Sequence, residues 1–591
     1  MSSDRGWAAK GMGVRAALAV LTAVVGSGGA RAFEIDTGNP DIGLRWDNTV
    51  RFTSGVRVDK RNNLIGNSAT SDEGTYSFDR GDFVTIRFDL LSEFDFVYKQ
   101  RYGFRVSAAA WWDPAYTGTS KSNPNPPLVN IPSYPNHQYG SYTTRFYEGP
   151  SAEVLDAFVF GKWDLGTVPT TLKVGRQSLY WGESLFLGGN LNGIAYAQNP
   201  LDLQKAFATP GAEAKELFRP LGQVSATAQL TDTFSVGAQY FWEWQEFRYP
   251  EGGTYTGPVD FVFNGPFRAL FAQAPVNPLL GPISGQNIGF TKGPALEPKQ
   301  SGDWGVALRW SPQALDGSLG FYYRRFSDKL PQTLVTQQTL IPGTFPVAAL
   351  RNQPLASFST YNLIYASGID LWGVSLAKNI AGVSVGAELS YRHNTPLNSQ
   401  VLGAGTPTGT GVPAKGDTPG PRGDTYHGLI NGVGIIPKTP VFDTANWAVE
   451  LTWARWASVN SGADLFNALG YAPCAGRTKW DGCTTRDYFG LGSAFTPTWF
   501  QVFPGVDLSA PLTFAIGLYG NAPTVFGGNQ ANGNYTIGVS ANIFQKYLVD
   551  LKYIDWVGRY KDNGTAVTSV NGLTTYLTDR GFISLTLKTT F

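Results

Sequence analysis

The sequence has 591 residues, of which 42% are hydrophobic, 14% aromatic and 15% charged, and its formal net charge is +1. This balance lacks the basic excess by which nucleic-acid-binding proteins are recognised, so we expect no nucleic-acid partner. No run of residues approaches the 18 consecutive apolar positions of a membrane-spanning helix, which excludes a helical membrane protein. The many aromatic residues and 70 glycines instead favour amphipathic strands joined by turns.

The first 32 residues have the features of a secretory signal peptide. Residues 1–15 contain three basic side chains, residues 16–25 are almost entirely apolar, and residues 30–32 read Ala-Arg-Ala. The apolar segment is too short to span a bilayer, and the small residues after it predict cleavage behind Ala32, an uncleaved membrane anchor being the alternative. Removal of the segment changes the net charge from +1 to −2 and leaves residues 33–591 as one domain.

Segments in which apolar and polar residues alternate recur along the mature chain. The clearest runs from Val84 to Lys99, where apolar side chains at every second position face an opposite row of charged and polar ones. Such a strand suits a barrel with lipid outside and a polar lumen, whereas a soluble sandwich would need a second sheet over each apolar face. The predicted lumen wall charges are Arg87, Asp89, Glu93, Asp95, Lys173, Arg176, Arg309 and Arg392.

Short and long connections alternate between these segments, as in outer-membrane barrels with short periplasmic turns and long extracellular loops. Eight short and nine long connections predict 18 strands; 16 is the alternative, because residues 366–378 and 423–436 alternate poorly. Both ends of the mature chain then lie in the periplasm. The sequence therefore predicts an all-β, transmembrane antiparallel β-barrel in the bacterial outer membrane, surrounded by outer-membrane lipid.

The last segment, residues 581–591, alternates strictly and ends on the aromatic residue Phe591. This ending is similar to the assembly signal of bacterial outer-membrane barrels, so the barrel assembly machinery is a predicted partner. We expect Leu585 and Leu587 to face lipid and Lys588 to face the lumen. The segment must pair with the first strand to close the barrel.

Two long loops, 177–221 and 258–298, carry residues that suit the inside of a wide barrel. Loop 258–298 is rich in proline and in large apolar side chains, which are uncommon in loops that are surrounded only by water. It either packs inside the mouth of the barrel, forms a landing surface for a hydrophobic solute, or packs on itself above the rim. Loop 177–221 is predicted to contain a short helix near residues 210–216.

Loop 177–221 also contains the candidate constriction or gate residues Trp181, Glu183, Asp202, Glu213, Lys215 and Glu216. The wall cations expected to pair with its carboxylates are Lys173, Arg176, Arg309 and Arg392. Such pairs either hold the loop in place as a structural feature or form a polar gate that moves when solute binds. The tryptophan of the set is expected to be a packing anchor.

The cysteine and histidine content gives no indication of a catalytic or metal site. Cys474 and Cys483 flank eight residues of one loop and predict a local disulfide in an oxidising compartment. Two thiols with no histidine nearby are too few for a metal site. The three histidines, His137, His393 and His427, stand in no catalytic context. We therefore expect neither enzymatic activity nor a cofactor.

Eight short motifs follow one another along the mature chain: Trp46–Thr49, Val174–Gln177, Trp181–Ser184, Asn199–Asp202, Pro210–Glu216, Arg422–Thr425, Asn431–Gly434 and Ala522–Thr524. In this order and spacing the chain resembles the proteobacterial outer-membrane proteins catalogued as domain of unknown function 1302. The resemblance implies a large barrel, often encoded beside a periplasmic partner and exporter-like inner-membrane proteins. It also implies a hydrophobic cargo such as a lipid, a steroid or an aromatic compound, and no catalytic residues.

Three functions are consistent with these features. The favoured one is a gated or constricted channel for a hydrophobic small molecule across the outer membrane. The second is a general hydrophilic porin, which the charged inner rows allow and the apolar loop 258–298 disfavours. The third is a barrel that transports nothing and serves as a scaffold for a periplasmic lipid-transfer partner.

Overall fold

The structure, a computed structural model, describes residues 33–591 except 69, 127–131, 211, 262, 274–286, 338–358, 400–401 and 405–412. The predicted signal peptide, residues 1–32, lies outside the described residues, as do parts of loop 258–298. No helix among the described residues is long and apolar enough to cross a membrane.

Eighteen antiparallel strands form one closed sheet, as predicted. In chain order they are β1 (Ile42–Arg57), β2 (Phe83–Tyr98), β3 (Tyr102–Trp112), β4 (Ser151–Leu165), β5 (Val168–Gln177), β6 (Leu221–Thr231), β7 (Phe234–Phe241), β8 (Trp304–Trp310), β9 (Gly317–Phe326), β10 (Ile369–Ile380), β11 (Val383–Pro396), β12 (Arg422–Ile436), β13 (Thr444–Ser461), β14 (Asp487–Phe503), β15 (Leu512–Tyr519, preceded by the short strand Val506–Ser509), β16 (Gly533–Ile543), β17 (Tyr547–Val557) and β18 (Phe582–Thr590).

The first and last strands of the wall, β1 and β18, close the barrel. Their antiparallel register begins with Arg57 opposite Phe582 and continues to the end of the chain. Asn48 and Phe591 exchange two backbone hydrogen bonds of 2.7 and 2.9 Å. The short strand Phe33–Ile35 pairs with β1 beyond this point. The closed wall therefore leaves no strand edge without a partner inside the membrane, where water cannot replace the missing hydrogen bonds.

The wall has the two faces that the alternation predicts. In β1 the inward side chains of Arg51 and Thr53 are 1% and 0% exposed, whereas the outward side chain of Trp46 is 47% exposed. In β18 the outward row contains Leu585, which is 37% exposed, and Leu587. The apolar row thus faces the surroundings of the barrel, as a lipid-facing surface requires.

A continuous row of aromatic rings crosses the outer face of β8 to β12 near their loop ends. The rings of Trp304, Tyr323, Trp372, Tyr391 and Tyr426 follow one another with centroid distances of 5.1, 5.4, 5.9 and 5.2 Å. Aromatic rings with a polar edge favour the boundary between lipid and water, and such girdles surround outer-membrane barrels. The girdle and the apolar outer face together identify this wall as an outer-membrane β-barrel.

Short turns and long loops lie at opposite ends of the wall. Eight short turns share one end with Phe591, and nine long loops lie at the other end. In outer-membrane barrels the end with long loops is extracellular. The sheet includes strands across both regions where the alternation is poor, so the count of 18 is confirmed over 16.

The long loops contain short helices and strands of their own. The α-helices are α1 (Asn63–Gly66), α2 (Glu73–Tyr76), α3 (Ser141–Thr143), α4 (Leu187–Asn192), α5 (Leu203–Ala208) and α6 (Ala214–Leu217). The 3-10 helices are Pro114–Tyr116, Pro135–His137, Ala463–Leu465, Ala472–Cys474, Lys479–Asp481 and Leu573–Leu577, and Thr144–Glu148 is a π-helix. A small sheet joins the strands Arg268–Gln273, Asn287–Lys292, Gln332–Gln337, Ser359–Ile364 and Leu402–Ala404, and a hairpin joins Tyr560–Asp562 to Val567–Val570.

The largest apolar cluster of the described residues combines inward-facing wall residues with the extracellular loops. It joins loop 177–221, the loop between β7 and β8, and the inner face of β9 and β10. Its buried members include Leu191, Ile194, Tyr196, Leu201, Phe247, Tyr249, Phe263, Tyr322, Ile369 and Leu371. The core therefore consists of loops packed on the inner wall, which is where the hydrophobic effect stabilises their folded form.

Deletion of Phe591 is expected to lower the yield of assembled barrel, because two hydrogen bonds of the seam and the terminal aromatic ring are lost. The yield is measured as the heat-modifiable fraction in isolated outer membranes. Phe591→Trp keeps both bonds and an aromatic end, so this matched control should assemble normally. A deletion variant that assembles as well as the native chain would contradict the prediction.

Candidate functional site

Residues 178–220, which connect β5 to β6, fold against the inner face of the wall, and we call them the plug. They contain the helices α4, α5 and α6. Side chains of β9, β11 and β13 bind the first part of the plug, and side chains of β1, β2 and β18 bind the last part. The first part of the plug is therefore attached to strands in the middle of the strand order, and the last part is attached to the strands around the junction of β1 and β18.

Glu388 on β11 holds the first part of the plug through backbone hydrogen bonds. Its carboxylate accepts the N–H of Ser184 at 3.1 Å, the N–H of Ile194 at 2.7 Å, and a third from Glu183. An ionised carboxylate only accepts hydrogen bonds and has about four acceptor positions. It thus satisfies three N–H groups whose burial without a partner would cost about 1–3 kcal/mol each.

A second carboxylate, Glu450 on β13, acts in the same way on the next two residues of the plug. It accepts the N–H of Leu185 at 2.7 Å and the N–H of Phe186 at 3.1 Å. Its side-chain neighbour Asn431 on β12 donates to the carbonyl of Glu183 at 2.6 Å. The N–H groups of the two residues that precede α4 are therefore bound by the wall.

Two buried arginines supply the matching donors. Arg324 on β9 donates to the carbonyls of Ile194 at 2.8 Å and Tyr196 at 2.7 Å. Arg392 on β11 donates to the carbonyl of Gly193 at 2.9 Å, and its side chain is 0% exposed. Because a guanidinium has five donors in a fixed fork, each arginine can bind irregular backbone that has no strand or helix partner.

Glycines of the inner wall make room for the plug. A Cβ atom at Gly305 would lie 2.9 Å from Cζ3 of Trp181, and one at Gly373 would lie 2.7 Å from Cγ1 of Ile194. Real Cβ atoms do not approach other carbon atoms so closely, so a larger residue at either position would push the plug away from the wall. Trp181 packs among buried apolar residues, which is the anchor role expected for it.

The last part of the plug is held by ion pairs. Glu216 on α6 contacts Arg51 of β1 at 2.6 Å and Lys205 of α5 at 2.7 Å, and Arg51 also contacts Asp89 of β2 at 3.3 Å. All four side chains are at most 8% exposed. Removal of one member of a buried ion pair typically costs about 3–5 kcal/mol, because the partner stays buried and charged.

Two further pairs fix α6 and the residue before it from both sides of the seam. Glu213 contacts Lys588 of β18 at 2.7 Å, and Lys215 contacts Glu93 of β2 at 2.5 Å. These pairs are partly exposed, so their contribution to stability is smaller than that of the buried set.

Asp202 has two functions at the start of α5. Its carboxylate caps the helix by accepting the N–H of Lys205 at 2.9 Å, and it contacts Arg248 at 3.0 Å. Arg248 also contacts Glu153 of β4 at 2.6 Å. Asp202 therefore connects the plug to the loop between β7 and β8 and, through Arg248, to the wall.

The cations that pair with the plug carboxylates differ from those that the sequence predicted. Lys173 lies over the ring of Phe158 at 5.3 Å, and Arg392 binds plug carbonyls instead of carboxylates. Arg309 attracts Glu183 electrostatically but forms no ion pair with it among the described residues. The observed partners of the plug carboxylates are Arg51, Lys205, Lys215, Arg248 and Lys588.

Arg176 was predicted to be a lumen wall charge, and this prediction is wrong, because Arg176 does not belong to the inward row. It follows Val174 in the outward row at the loop end of β5 and contacts Glu243 at 3.1 Å. Lys173 and Arg176 are three residues apart, and side chains on one face of a strand are separated by an even number of residues. The other predicted wall charges, Arg87, Asp89, Glu93 and Asp95 among them, lie in the inward rows.

Sequence reasoning missed Glu388 and Glu450, the two carboxylates that hold the plug. Each is the single acidic residue of its strand and lies at an inward position. No cation lies directly across from either carboxylate, because Glu388 is opposite Ser375 and Leu429, and Glu450 is opposite Asn431 and Gly492. A buried carboxylate without a cross-strand cation needs binding partners from outside the wall. This pattern is the sequence signal by which both residues could have been found.

A cavity of about 350 Å³ lies among the extracellular loops, and we call it the aromatic cavity. Its apolar lining consists of Val259, Phe261, Phe263, Pro331, Val525, Phe526, Val570 and Leu573. Its polar lining consists of Gln332, Thr333, Asn398, Ser399, Asn467, Asp481, Thr524 and Asn529, and Gly482 and Gly572 complete it. Six of the nine long loops contribute residues to this lining.

The predicted disulfide is confirmed: Cys474 and Cys483 are bonded, and both are buried. The backbone carbonyl of Cys483 accepts a hydrogen bond from Asn521 at 2.8 Å. The disulfide therefore fixes the loop between β13 and β14 beside the aromatic cavity, to which this loop contributes Asn467 and Gly482.

The histidine with the most buried position, His427 on β12, contacts the plug. Its ring nitrogens lie 2.9 Å from the hydroxyl of Thr425 and 3.2 Å from the amide oxygen of Asn192. His393 pairs with Asp424 on the outer face instead. Within the described part of the chain no group of histidine, cysteine and acidic residues is arranged to hold a metal ion.

A buried carboxyl group connects three extracellular loops. Glu73 on α2 accepts the N–H of Ser133 at 2.6 Å and the Ser133 hydroxyl at 2.5 Å, and a Cβ atom at Gly253 would lie 2.9 Å from its carboxyl oxygen. Burial raises the pKa of Glu73 from 4.5 to about 8. The group is therefore protonated in the folded loops at neutral pH.

The order of these loops is expected to decrease as the pH rises from 6 to 9. A carboxyl group with a raised pKa binds its proton more tightly in the folded state, so its stabilisation is complete below 4.5 and is lost as the pH rises through about 8. Hydrogen exchange of residues 70–77 measures this change. Glu73→Gln should reduce the pH dependence, and the exposed loop variant Asp464→Asn should leave it unchanged. Equal pH dependence in Glu73→Gln and the native chain would contradict the prediction.

Glu388→Ala is expected to loosen the plug and raise the ion conductance of the barrel in planar bilayers. The substitution removes the acceptor of three buried N–H groups, at about 1–3 kcal/mol each. Asp156→Ala is the matched control, because Asp156 contacts Arg105 of the wall and no described residue of the plug. Native conductance in Glu388→Ala would show that this carboxylate does not hold the plug.

The comparisons with solved structures find channels of low similarity. OmpF of Salmonella typhi in complex with daunomycin is 8% identical, with 95% of this chain and 100% of that chain covered and a TM-score of 0.35. Pseudomonas aeruginosa OccK9 is 8% identical, with 93% and 98% covered and a TM-score of 0.37. A BenF-like porin from Pseudomonas fluorescens is 8% identical, with 93% and 98% covered and a TM-score of 0.38. These values are too low to relate the chain to any one of the three.

No curated protein matches the chain. The family model described as "Protein of unknown function (DUF1302)" matches residues 13–591, which include the whole wall, the plug and the aromatic cavity. The chain therefore belongs to the DUF1302 family of outer-membrane β-barrels.

Proposed function

We propose that the protein is an outer-membrane channel that transports a hydrophobic small molecule and is gated by the plug. The observation that carries this proposal is the aromatic cavity, which several extracellular loops enclose beside the apolar cluster on the plug. Small-molecule sites are typically concave, mostly apolar spaces of about 300–1,000 Å³. The cavity has the dimensions of such a site, eight apolar side chains line it, and it lies among the extracellular loops.

The two parts of the plug are attached in different ways, which supports a gating role. Residues 181–198 are bound through their backbone to buried wall side chains. Residues 202–217 are bound mainly through side-chain ion pairs. Ion pairs weaken when water enters, because the effective dielectric constant rises, so the second part can detach when the site is hydrated. We therefore assign the gate to residues 202–217.

The apolar filling of the mouth favours a hydrophobic solute over a hydrophilic one. A hydrophilic porin keeps a water-filled lumen lined by charged side chains. In this barrel, buried rings and aliphatic side chains of the plug and of the loop between β7 and β8 pack on the inner wall. A polar solute would have to displace these contacts without replacing them, whereas an apolar solute can take their place.

Transfer between vesicles tests the proposal. Proteoliposomes with the purified barrel should accelerate transfer of a fluorescent sterol or a fluorescent fatty acid without swelling in sugar solutions. Swelling and ion conductance without lipid transfer would instead identify a hydrophilic porin. Neither activity, together with stable binding of a periplasmic lipid-transfer protein, would identify a scaffold.

Glu216→Gln should raise the transfer rate above that of the native protein. The substitution removes the charge that binds Arg51 and Lys205, so the last part of the plug is held less tightly. Asp156→Asn changes an inner carboxylate that contacts no described plug residue and serves as the control. The heat-modifiable fraction of each variant shows that equal amounts of folded barrel are compared. An unchanged or lower rate in Glu216→Gln would exclude residues 202–217 as the gate.

A further inference from the structure

We propose that the aromatic cavity binds a neutral, ring-bearing apolar molecule and that its occupation loosens the first part of the plug, residues 187–198, through Phe526. The inference rests on the proposed channel function and adds the ligand class and the path by which the ligand acts. Four observations carry it: the charge of the lining, the arrangement of the rings, the backbone of two phenylalanines, and a hydrogen bond that the plug donates to the cavity loop.

The lining of the cavity favours a neutral ligand. Asp481 is the single charged residue of the lining, and its carboxylate already contacts Lys561 at 2.6 Å and the Ser569 hydroxyl at 2.7 Å. The side-chain amides of Asn398 and Asn467 donate to backbone carbonyls of the loops. A charged ligand would therefore be desolvated without gaining a counter-ion, whereas a neutral ligand with one hydroxyl or carbonyl group is not penalised in this way.

Stacked rings form the side of the cavity that faces the plug. Tyr249 stacks on Phe526 at 4.3 Å and on Phe263 at 4.9 Å, with interplanar angles of 24° and 12°. Phe263 and Phe526 line the cavity, and all three rings belong to the cluster that contains Tyr196 and Ile194 of the plug. A flat ring can extend this stack, because offset stacking is the preferred geometry of aromatic pairs. These rings therefore favour a ligand with a ring system.

The two phenylalanines of the cavity have a strained backbone. The φ angle is +77° at Phe263 and +56° at Phe526. A bulky residue rarely adopts this left-handed conformation, which costs about 1–3 kcal/mol and persists only where the surrounding contacts hold it. Strain of this kind favours a second position of the segment once a ligand replaces the ring contacts.

The loop with Phe526 is bonded directly to the plug. The side-chain amide of Asn192 on α4 donates to the carbonyl of Gly527 at 3.0 Å, and Asn192 is 0% exposed. A ligand that displaces the ring of Phe526 moves the adjacent carbonyl and breaks this bond. The plug then loses a contact on its extracellular side, while the wall bonds of Glu388 are unchanged at that moment.

Photo-cross-linking of the full-length barrel in nanodiscs tests the binding site. The probe is 2-naphthol with a diazirine group, and mass spectrometry locates the modified residues. Modification of the cavity lining, with competition by unlabelled 2-naphthol, is expected. Phe526→Ala should lower the apparent affinity about fivefold, as for loss of one stacking ring. Phe503→Ala, which removes a ring that is 68% exposed at the periplasmic turns, is the matched control and should bind as the native protein does.

Leu573→Trp fills the cavity instead of emptying it, so it distinguishes loss of the site from misfolding of the loop. The site is supported if Leu573→Trp still assembles into a heat-modifiable barrel and its cross-linking falls at least as much as that of Phe526→Ala. Cross-links restricted to the outer wall, or undiminished in both variants, would overturn the inference. Vesicle transfer of a sterol would then still be judged on its own, so the proposed channel function stands or fails separately.

Hydrogen exchange of the plug tests the coupling. Addition of 2-naphthol should accelerate exchange in residues 187–198 of the native barrel and have no effect in Leu573→Trp. Exchange of β1 and β18 serves as the internal reference and should not change. Cross-linking of the cavity with unchanged exchange in the plug would show a binding site without control over the plug and would overturn this part of the inference.

Discussion

Much of the plug backbone lies outside helices and strands, so its N–H and C=O groups need hydrogen-bond partners from side chains inside the barrel. Within a barrel, irregular backbone is tolerated only where its N–H and C=O groups are bound by protein or water. Glu388 and Glu450 accept the N–H groups, and Arg324 and Arg392 donate to the carbonyls. The remaining features follow from this requirement: glycines opposite the plug, buried charges on inward rows, and an apolar cluster that excludes water from these bonds.

Much of the wall could be predicted from the sequence, because a strand with one lipid-facing side has a period of two that needs no knowledge of its neighbours. The alternation failed at residues 366–378 for a physical reason. Ile369 and Leu371 are inward residues of β10, and they are apolar because they pack on the plug. Where a loop covers the inner wall, both faces of a strand are apolar, and the two-sided pattern disappears.

The site was predicted less completely, because ion pairs across a barrel join residues that are distant in sequence. Residues 177–221 were recognised as an inserted loop, and Glu216 as one of its charged residues. Its partner Arg51 is 165 positions away, on the first strand of the wall. Periodicity shows that Arg51 faces the lumen, but it contains no information on which loop carboxylate reaches this side chain. Which cation pairs with each plug carboxylate is therefore seen only in the three-dimensional structure.

The position of α6 has a consequence for the integrity of the wall itself. Glu216 of α6 contacts β1, and Glu213, the residue before α6, contacts β18, so one short segment of the plug binds both strands of the junction that closes the cylinder. The plug thus connects the first and last strands from inside the barrel, at the junction where they pair. Any movement that withdraws α6 also takes ion pairs from both partners of this junction. The mechanical strength of the closed wall and the state of its gate therefore depend on the same segment of the plug.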